Sequence, residues 1–157
     1  MTNEQYEQHY IAEMWLMRTW DDETELEQLK VRREKVIASL SGIGKYDSNS
    51  VPGGSDTNTT ESKNIEFSIL TEKIEKLQNK IFSENARTHA VIYQIEDNRK
   101  DASKIRGMLE ARYVNRMSWR KVGELYHYQE RHSYNYRTKC LEAIYPYVPK
   151  GEMENEG

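Results

Sequence analysis

Residues 118–139 read SWRKVGELYHYQERHSYNYRTK. Five of their seven charges are positive, and an aromatic or aliphatic residue recurs at about every third or fourth position, the spacing of one face of a helix. Ser118 offers a hydroxyl to the free amides of a helix start, with Trp119, Val122 and Leu125 following at three-residue intervals through about Tyr126. His127 falls where the chain must turn. A final helix from about Glu130 to Tyr145 places Ser133, Tyr136 or Arg137, Cys140, Leu141 and Ile144 inward, and Pro146 and Pro149 end it. Gly123 sits where two such helices can cross closely; as a merely tolerated helix glycine it costs about 1 kcal/mol without return. The stretch reads as two short helices across a turn.

The same stretch is basic in an acidic chain. The 157 residues carry a net charge of −3. Residues 99–150 hold twelve Lys/Arg against five Asp/Glu, a surplus of seven positive charges, whereas residues 1–98 hold eleven against eighteen and the tail GEMENEG has three acids. Such asymmetry points to a nucleic-acid-binding module joined to a differently charged one. The alternative is a solvated helical face that happens to be basic.

Working upstream, Asp101 is the expected cap of a helix over about 102–115 that carries Ile105, Met108, Leu109 and Arg112-Tyr113. Farther back, the absence of Gly and Pro from Glu4 to Leu40 predicts one long helix. Its stripe runs through Tyr6, Tyr10, Met14 and Met17, then Leu26, Leu29, Arg33, Val36 and Leu40. Gly42 and Gly44 terminate it. Residues 42–62, rich in Gly, Ser, Thr, Asn and Asp, read as a flexible loop. A second long helix begins near Ser62 to Asn64 with Phe67, Leu70, Ile74, Leu77, Ile81, Thr88, Val91 and Ile95 on its stripe. The expected fold is all-α: a long antiparallel, coiled-coil-like helical hairpin followed by a small trihelical helix-turn-helix domain. The expected divisions are 1–98, 99–150 and a disordered acidic tail at 151–157. Because each long helix has only a narrow stripe, the 1–98 region is expected to pair between chains as readily as within one, giving a homo-oligomer.

The trihelical segment resembles region 4 of the sigma-70 factors. The matching residues are Leu109-Glu110-Ala111-Arg112-Tyr113, then Ser118-Trp119-Arg120-Lys121-Val122-Gly123-Glu124-Leu125-Tyr126, then Gln129 to Ile144. His127 stands at the turn position usually held by Gly, Gln129 at the cap usually held by Ser or Thr, and Ser133 at an inward position often held by Val or Ile. Over roughly residues 20–146 the layout is similar to the small regulators of phages of Gram-positive bacteria, including the ArpU and RinA types. That resemblance implies a sequence-specific double-stranded DNA-binding regulator of late-gene transcription, acting in the bacterial host cell. Contact with host RNA polymerase through the sigma-like fold is the alternative it raises. A small terminase subunit is a third, although there the DNA-binding part usually precedes the oligomerising helices.

At 100° per residue the side of the last helix opposite its buried stripe holds Arg131, Asn135 and Thr138, flanked by His132, Tyr134 and Lys139. Arg131 suits a bidentate contact to guanine, Asn135 one to adenine, and Thr138 or Tyr134 an apolar contact to a thymine methyl. Arg116, Arg120, Lys121 and Lys139 are placed to meet phosphates. These nine residues form the expected DNA-binding set.

Other chemistry is not expected. His9, His89, His127 and His132 are scattered and lack companion thiolates or carboxylates in metal-ligand spacing, so no zinc or other cofactor is foreseen. Gly42-Ile43-Gly44-Lys45 lacks the spacing and the Ser/Thr of a phosphate loop. Asp21, Asp22, Glu23 and Glu25 point in different directions on a helix. Asn58-Thr59-Thr60 matches a glycosylation acceptor that has no export signal to make it relevant. Cys140 stands alone, which excludes an internal disulfide. No nucleophile, base and orienting group assemble, and the chain is read as a non-enzyme. With 36% hydrophobic residues and a mean hydropathy of −0.96, no apolar run suits a membrane span, and the cytoplasm is the expected location.

Overall fold

The computed structural model describes residues 1–43 and 54–151. The expected loop at 42–62 lies partly outside them, as do residues 152–157 of the expected tail. Within the described residues every regular element is a helix. They are α1 (Asn3–Leu16), α2 (Trp20–Ile43), α3 (Gly54–Ile92), α4 (Ala102–Leu109), α5 (Trp119–Leu125) and α6 (Glu130–Ile144). A π-helical stretch, Glu110–Val114, extends α4, and a 3₁₀ turn, Tyr145–Tyr147, follows α6. No helix among the described residues is long and apolar enough to cross a membrane.

The chain forms two compact units, Trp20–Phe82 and the combination of Met1–Thr19 with Ser83–Gly157. In the first, α2 lies alongside the larger part of α3 through Leu26, Ile74 and Ile81, with Leu29 and Leu77 against them. Asp22 pairs with Lys80 at 3.0 Å and Arg32 with Glu66 at 2.6 Å, so the partner number falls as the residue number rises and the helices run antiparallel. The stripe predicted for α2 is the one buried: Leu26 and Val36 are inside, and Leu29, Arg33 and Leu40 are half-buried. α3 starts at Gly54, well before the expected Ser62. Residues 54–61, GSDTNTTE, carry no apolar residue, so no hydrophobic period announces this part of the helix.

In the second unit the N-terminal segment departs from expectation. Residues 4–40 are not one helix, because α1 closes at Met17 and α2 restarts at Trp20. Arg18 explains the break. Its guanidinium donates to Trp15 O (2.9 Å), Thr88 Oγ1 (2.9 Å) and Glu84 O (2.8 Å), pairs with Glu84 through Nε (2.8 Å), and lies 3.8 Å from the Trp15 ring centre. Bonds to the end of α3, not a breaker residue, turn the chain. The buried face of α1 is therefore His9, Ala12, Trp15 and Leu16, while the predicted stripe residues Tyr6 and Tyr10 are 58% and 65% exposed and Met14 is exposed too.

α1 packs on α6 and joins Ile92, Ile95, Ile105, Met108, Leu109, Tyr113, Val122, Leu141 and Ile144 in one core. This packing goes with compact-unit boundaries at residues 19/20 and 82/83. Asp101 occupies the position before α4 but makes no side-chain capping bond; its carboxylate faces Arg99 at 3.6 Å.

Candidate nucleic-acid interface

The geometry around α5 and α6 begins with Ser118, whose Oγ accepts from Lys121 N at 3.2 Å and starts α5. α5 ends in a Schellman arrangement. Tyr128 N–H donates to Gly123 O (2.8 Å) and His127 N–H to Glu124 O (3.2 Å), with His127 in the left-handed region at φ 60°. A β-carbon is strained there, yet the two closing bonds hold it. α6 then starts after Gln129, which has extended backbone and no side-chain cap, as expected of a poor capping residue.

α5 and α6 cross at Gly123. A β-carbon on Gly123 would lie 1.9 Å from Ser133 Oγ, 3.2 Å from Ser133 Cβ and 3.1 Å from Tyr128 O, so glycine at one position and a small residue at the other set the approach of the two helices. Ser133 is fully buried and its hydroxyl donates to Gln129 O at 3.4 Å. Trp119 packs edge-on to Tyr113 with ring centres 6.1 Å apart. Leu125, expected inward, is 55% exposed, because α5 turns only Trp119, Val122 and Gly123 to the core.

Of the nine expected contact residues, Arg116, Arg120, Lys121, Arg131, His132, Tyr134, Asn135 and Lys139 are exposed. Thr138 is half-buried and so less available than the helical wheel implied. Arg131, His132 and Asn135 line one shallow depression with His127 and Gln129. Arg120 reaches Glu124 at 3.8 Å, an exposed pair that holds it only weakly. Arg116 has φ 58°, a second left-handed position at the end of the π-helical stretch.

Two groupings were not foreseen. The first ties α1 to α6: Arg137 grips Glu13 through Nη2 (2.6 Å) and Nε (3.1 Å), and Tyr113 Oη donates to the same carboxylate at 2.6 Å. Burial alone, the largest influence on Glu13, would raise its pKa, but the bonds from Arg137 and Tyr113 together outweigh it and leave the carboxyl below its ordinary range. Burial, and then the Glu13 carboxylate, push the Tyr113 phenol up.

The second is a ladder of rings on one flank of α6. Tyr128 stacks on Tyr136 (5.4 Å, 10°) and on His132 (4.2 Å, 27°). Lys104 of α4 donates to the Tyr128 hydroxyl. That bond raises the lysine and lowers the tyrosine from their ordinary pKa values. Lys139 lies 4.8 Å over the Tyr136 ring. The signal was legible, since residues 128, 132 and 136 repeat aromatic rings at helical spacing. Cys140, beneath them, is buried and its thiol is pushed up to about 12, first by burial and then by the Asp101 carboxylate, so it is an unreactive packing residue.

Among the described residues no group of three His, Cys, Asp or Glu side chains gathers to hold a metal. Comparison with protein-family models, with curated proteins and with solved structures gives no match to this chain.

Proposed function

We propose that this chain is a non-enzymatic, sequence-specific double-stranded DNA-binding transcription regulator of the phage late-gene type, acting in the cytoplasm of a bacterial host. In this reading α4, α5 and α6 are a sigma region 4-like helix-turn-helix, and α6 enters the major groove. The α2–α3 pair is the hairpin that joins copies into an oligomer, because one short recognition helix rarely supplies both affinity and specificity. The observation that carries it is the α5–α6 crossing at Gly123 and Ser133 with its left-handed turn at His127. This crossing leaves Arg131 and Asn135 exposed one helical turn apart.

The test is a binding series on the site selected from random duplexes. Arg131→Ala and Asn135→Ala are each expected to cost about 1–3 kcal/mol and to relax the sequence preference, whereas Lys121→Ala weakens all sequences alike. Unchanged affinity and preference in folded variants reject the recognition-helix assignment. A second reading, contact with RNA polymerase, is favoured by the exposure of Leu125 (55%) and Tyr134 (53%), apolar surface that suits a protein partner better than phosphate. Binding to purified polymerase without DNA separates the two.

A further inference from the structure

Beside the α6 face lies a cleft of about 710 Å³ lined by Lys100 just ahead of α4, by Ser103 and Lys104 in its first turn, and by Tyr126 and Tyr136. The site has a built floor. The Tyr126 hydroxyl lies across α4, where a β-carbon on Gly107 would meet it at 2.1 Å, and the Tyr126 and Tyr128 rings are near-parallel at 6.5 Å. Lys104 is held over this floor, 5.1 Å from the Tyr128 ring centre and 5.5 Å from that of Tyr136, while bonded to the Tyr128 hydroxyl. A lysine normally loses several rotamers when it binds an anion; here that ordering is complete in advance, and no carboxylate stands within ion-pair distance of it among the described residues. The nearby basic residues are differently placed, since Arg106 is taken by Asp97 at 2.6 Å and Arg99 by Asp101 at 3.6 Å. Asp101 also lines the cleft, with its charge turned to Arg99. Lys104 is thus an organised cation with no carboxylate partner among the described residues, and Lys100, just ahead of α4, lines the same cleft.

We propose that this cleft is a phosphodiester-binding subsite, in which Lys104 and Lys100 with the Ser103 hydroxyl hold the DNA backbone flanking the groove that α6 occupies. His132 and Lys139 of α6 connect the cleft to the Arg131 and Asn135 face, so one duplex can span both. Tyr128 is a positioning residue: its phenol fixes the lysine and touches no phosphate. The inference rests on the DNA-binding reading above and deepens it by extending the contact from α6 to α4.

The experiment measures binding of the full chain to random-sequence duplex DNA as a function of salt. Lys104→Gln and Lys100→Gln are each expected to lower the magnitude of the log affinity against log salt slope by about one unit, as one fewer counterion is released. Lys104→Arg keeps the wild-type slope. Tyr128→Phe weakens binding while leaving the slope unchanged, because the charge stays and only its placement is lost. Unchanged slopes for both glutamine variants, with wild-type DNA binding intact and Lys121→Ala still lowering the slope, overturn the subsite and leave the DNA reading standing. If the wild-type chain binds no duplex at low salt, the reading and the subsite fail together. Lys100 is exposed, so its variant decides the matter even if a change at Lys104 disturbs folding.

Discussion

Gly123 sets two effects against each other at a single residue. Alanine is the better helix former by about 1 kcal/mol, so an exposed glycine replaced by alanine should stabilise α5. At 1.9 Å from Ser133 Oγ the new β-carbon instead forces α5 and α6 apart, and overpacking of this kind costs about 1–3 kcal/mol. The expected outcome for Gly123→Ala is net destabilisation in urea denaturation, partly relieved by adding Ser133→Gly, which removes the clashing hydroxyl and β-carbon. A stabilised single variant is incompatible with the crossing described.

Glu13 allows a prediction of pH dependence. Its folded pKa lies below the ordinary carboxylate value, so in acid the unfolded chain takes up a proton before the folded one does. The stability it contributes is complete above the unfolded value, about 4.3, and is lost as pH falls through the lower folded value. The urea midpoint of the wild type should therefore drop below about pH 4, and Glu13→Gln, which has no such charge to lose, should show a smaller drop in that window. Equal pH profiles would falsify the role given to the Glu13–Arg137 pair.

Among the elements, α1 shows how far a helix can escape a reading by residue type. Tyr6, Tyr10 and Met14 repeat at a regular four-residue spacing, but the core takes Ala12, Trp15 and Leu16. The choice is made by partners distant in sequence: Glu13 must reach Arg137 and Tyr113, and Arg18 must reach Glu84 and Thr88. Once those bonds face inward, helical geometry sends Tyr6 and Tyr10 outward. Trp15→Ala is accordingly expected to cost on the order of 3–5 kcal/mol, whereas Tyr10→Ala should be near neutral in the same thermal melt. A fragment limited to residues 99–150 lacks Trp15, Leu16 and Ile92 and should show no cooperative thermal transition; a cooperative melt would mean that the three C-terminal helices need no α1.

For the molecule as a whole, the open question is what covers the outer surfaces of the α2–α3 unit. Its internal cluster is small, Leu26, Ile74 and Ile81 with Leu29 and Leu77 at the edge, while Val31, Ile37, Ile65, Ile69 and Phe82 stand exposed. Exposed apolar surface on that scale favours association. Light scattering at tens of micromolar protein is expected to give a mass above that of one chain, and Ile65→Lys with Ile69→Lys should move it toward the monomer without loss of helical circular dichroism. A wild-type monomer at that concentration argues against an oligomer built on this unit.

What local physics controls is legible along the chain. The inward sets of α2, α3 and α6 follow from the three-and-four spacing of their larger apolar residues. The start of α5 follows from the Ser118 hydroxyl, and the Gly123 crossing follows from the small residues that such a close approach requires, whereas the left-handed turn falls on His127 although a β-carbon is strained there. The exposure of Arg131 and Asn135 follows from the α6 period as well. Tertiary structure alone decided the break at Met17–Thr19, the partnership of α1 with α6, the outward Leu125 and the seating of Lys104 over its tyrosines. Each of these depends on groups far apart in sequence, such as Glu13 with Arg137 or Lys104 with Tyr128. Periodicity reports the faces of one helix, but it carries no information about which face of another helix lies opposite.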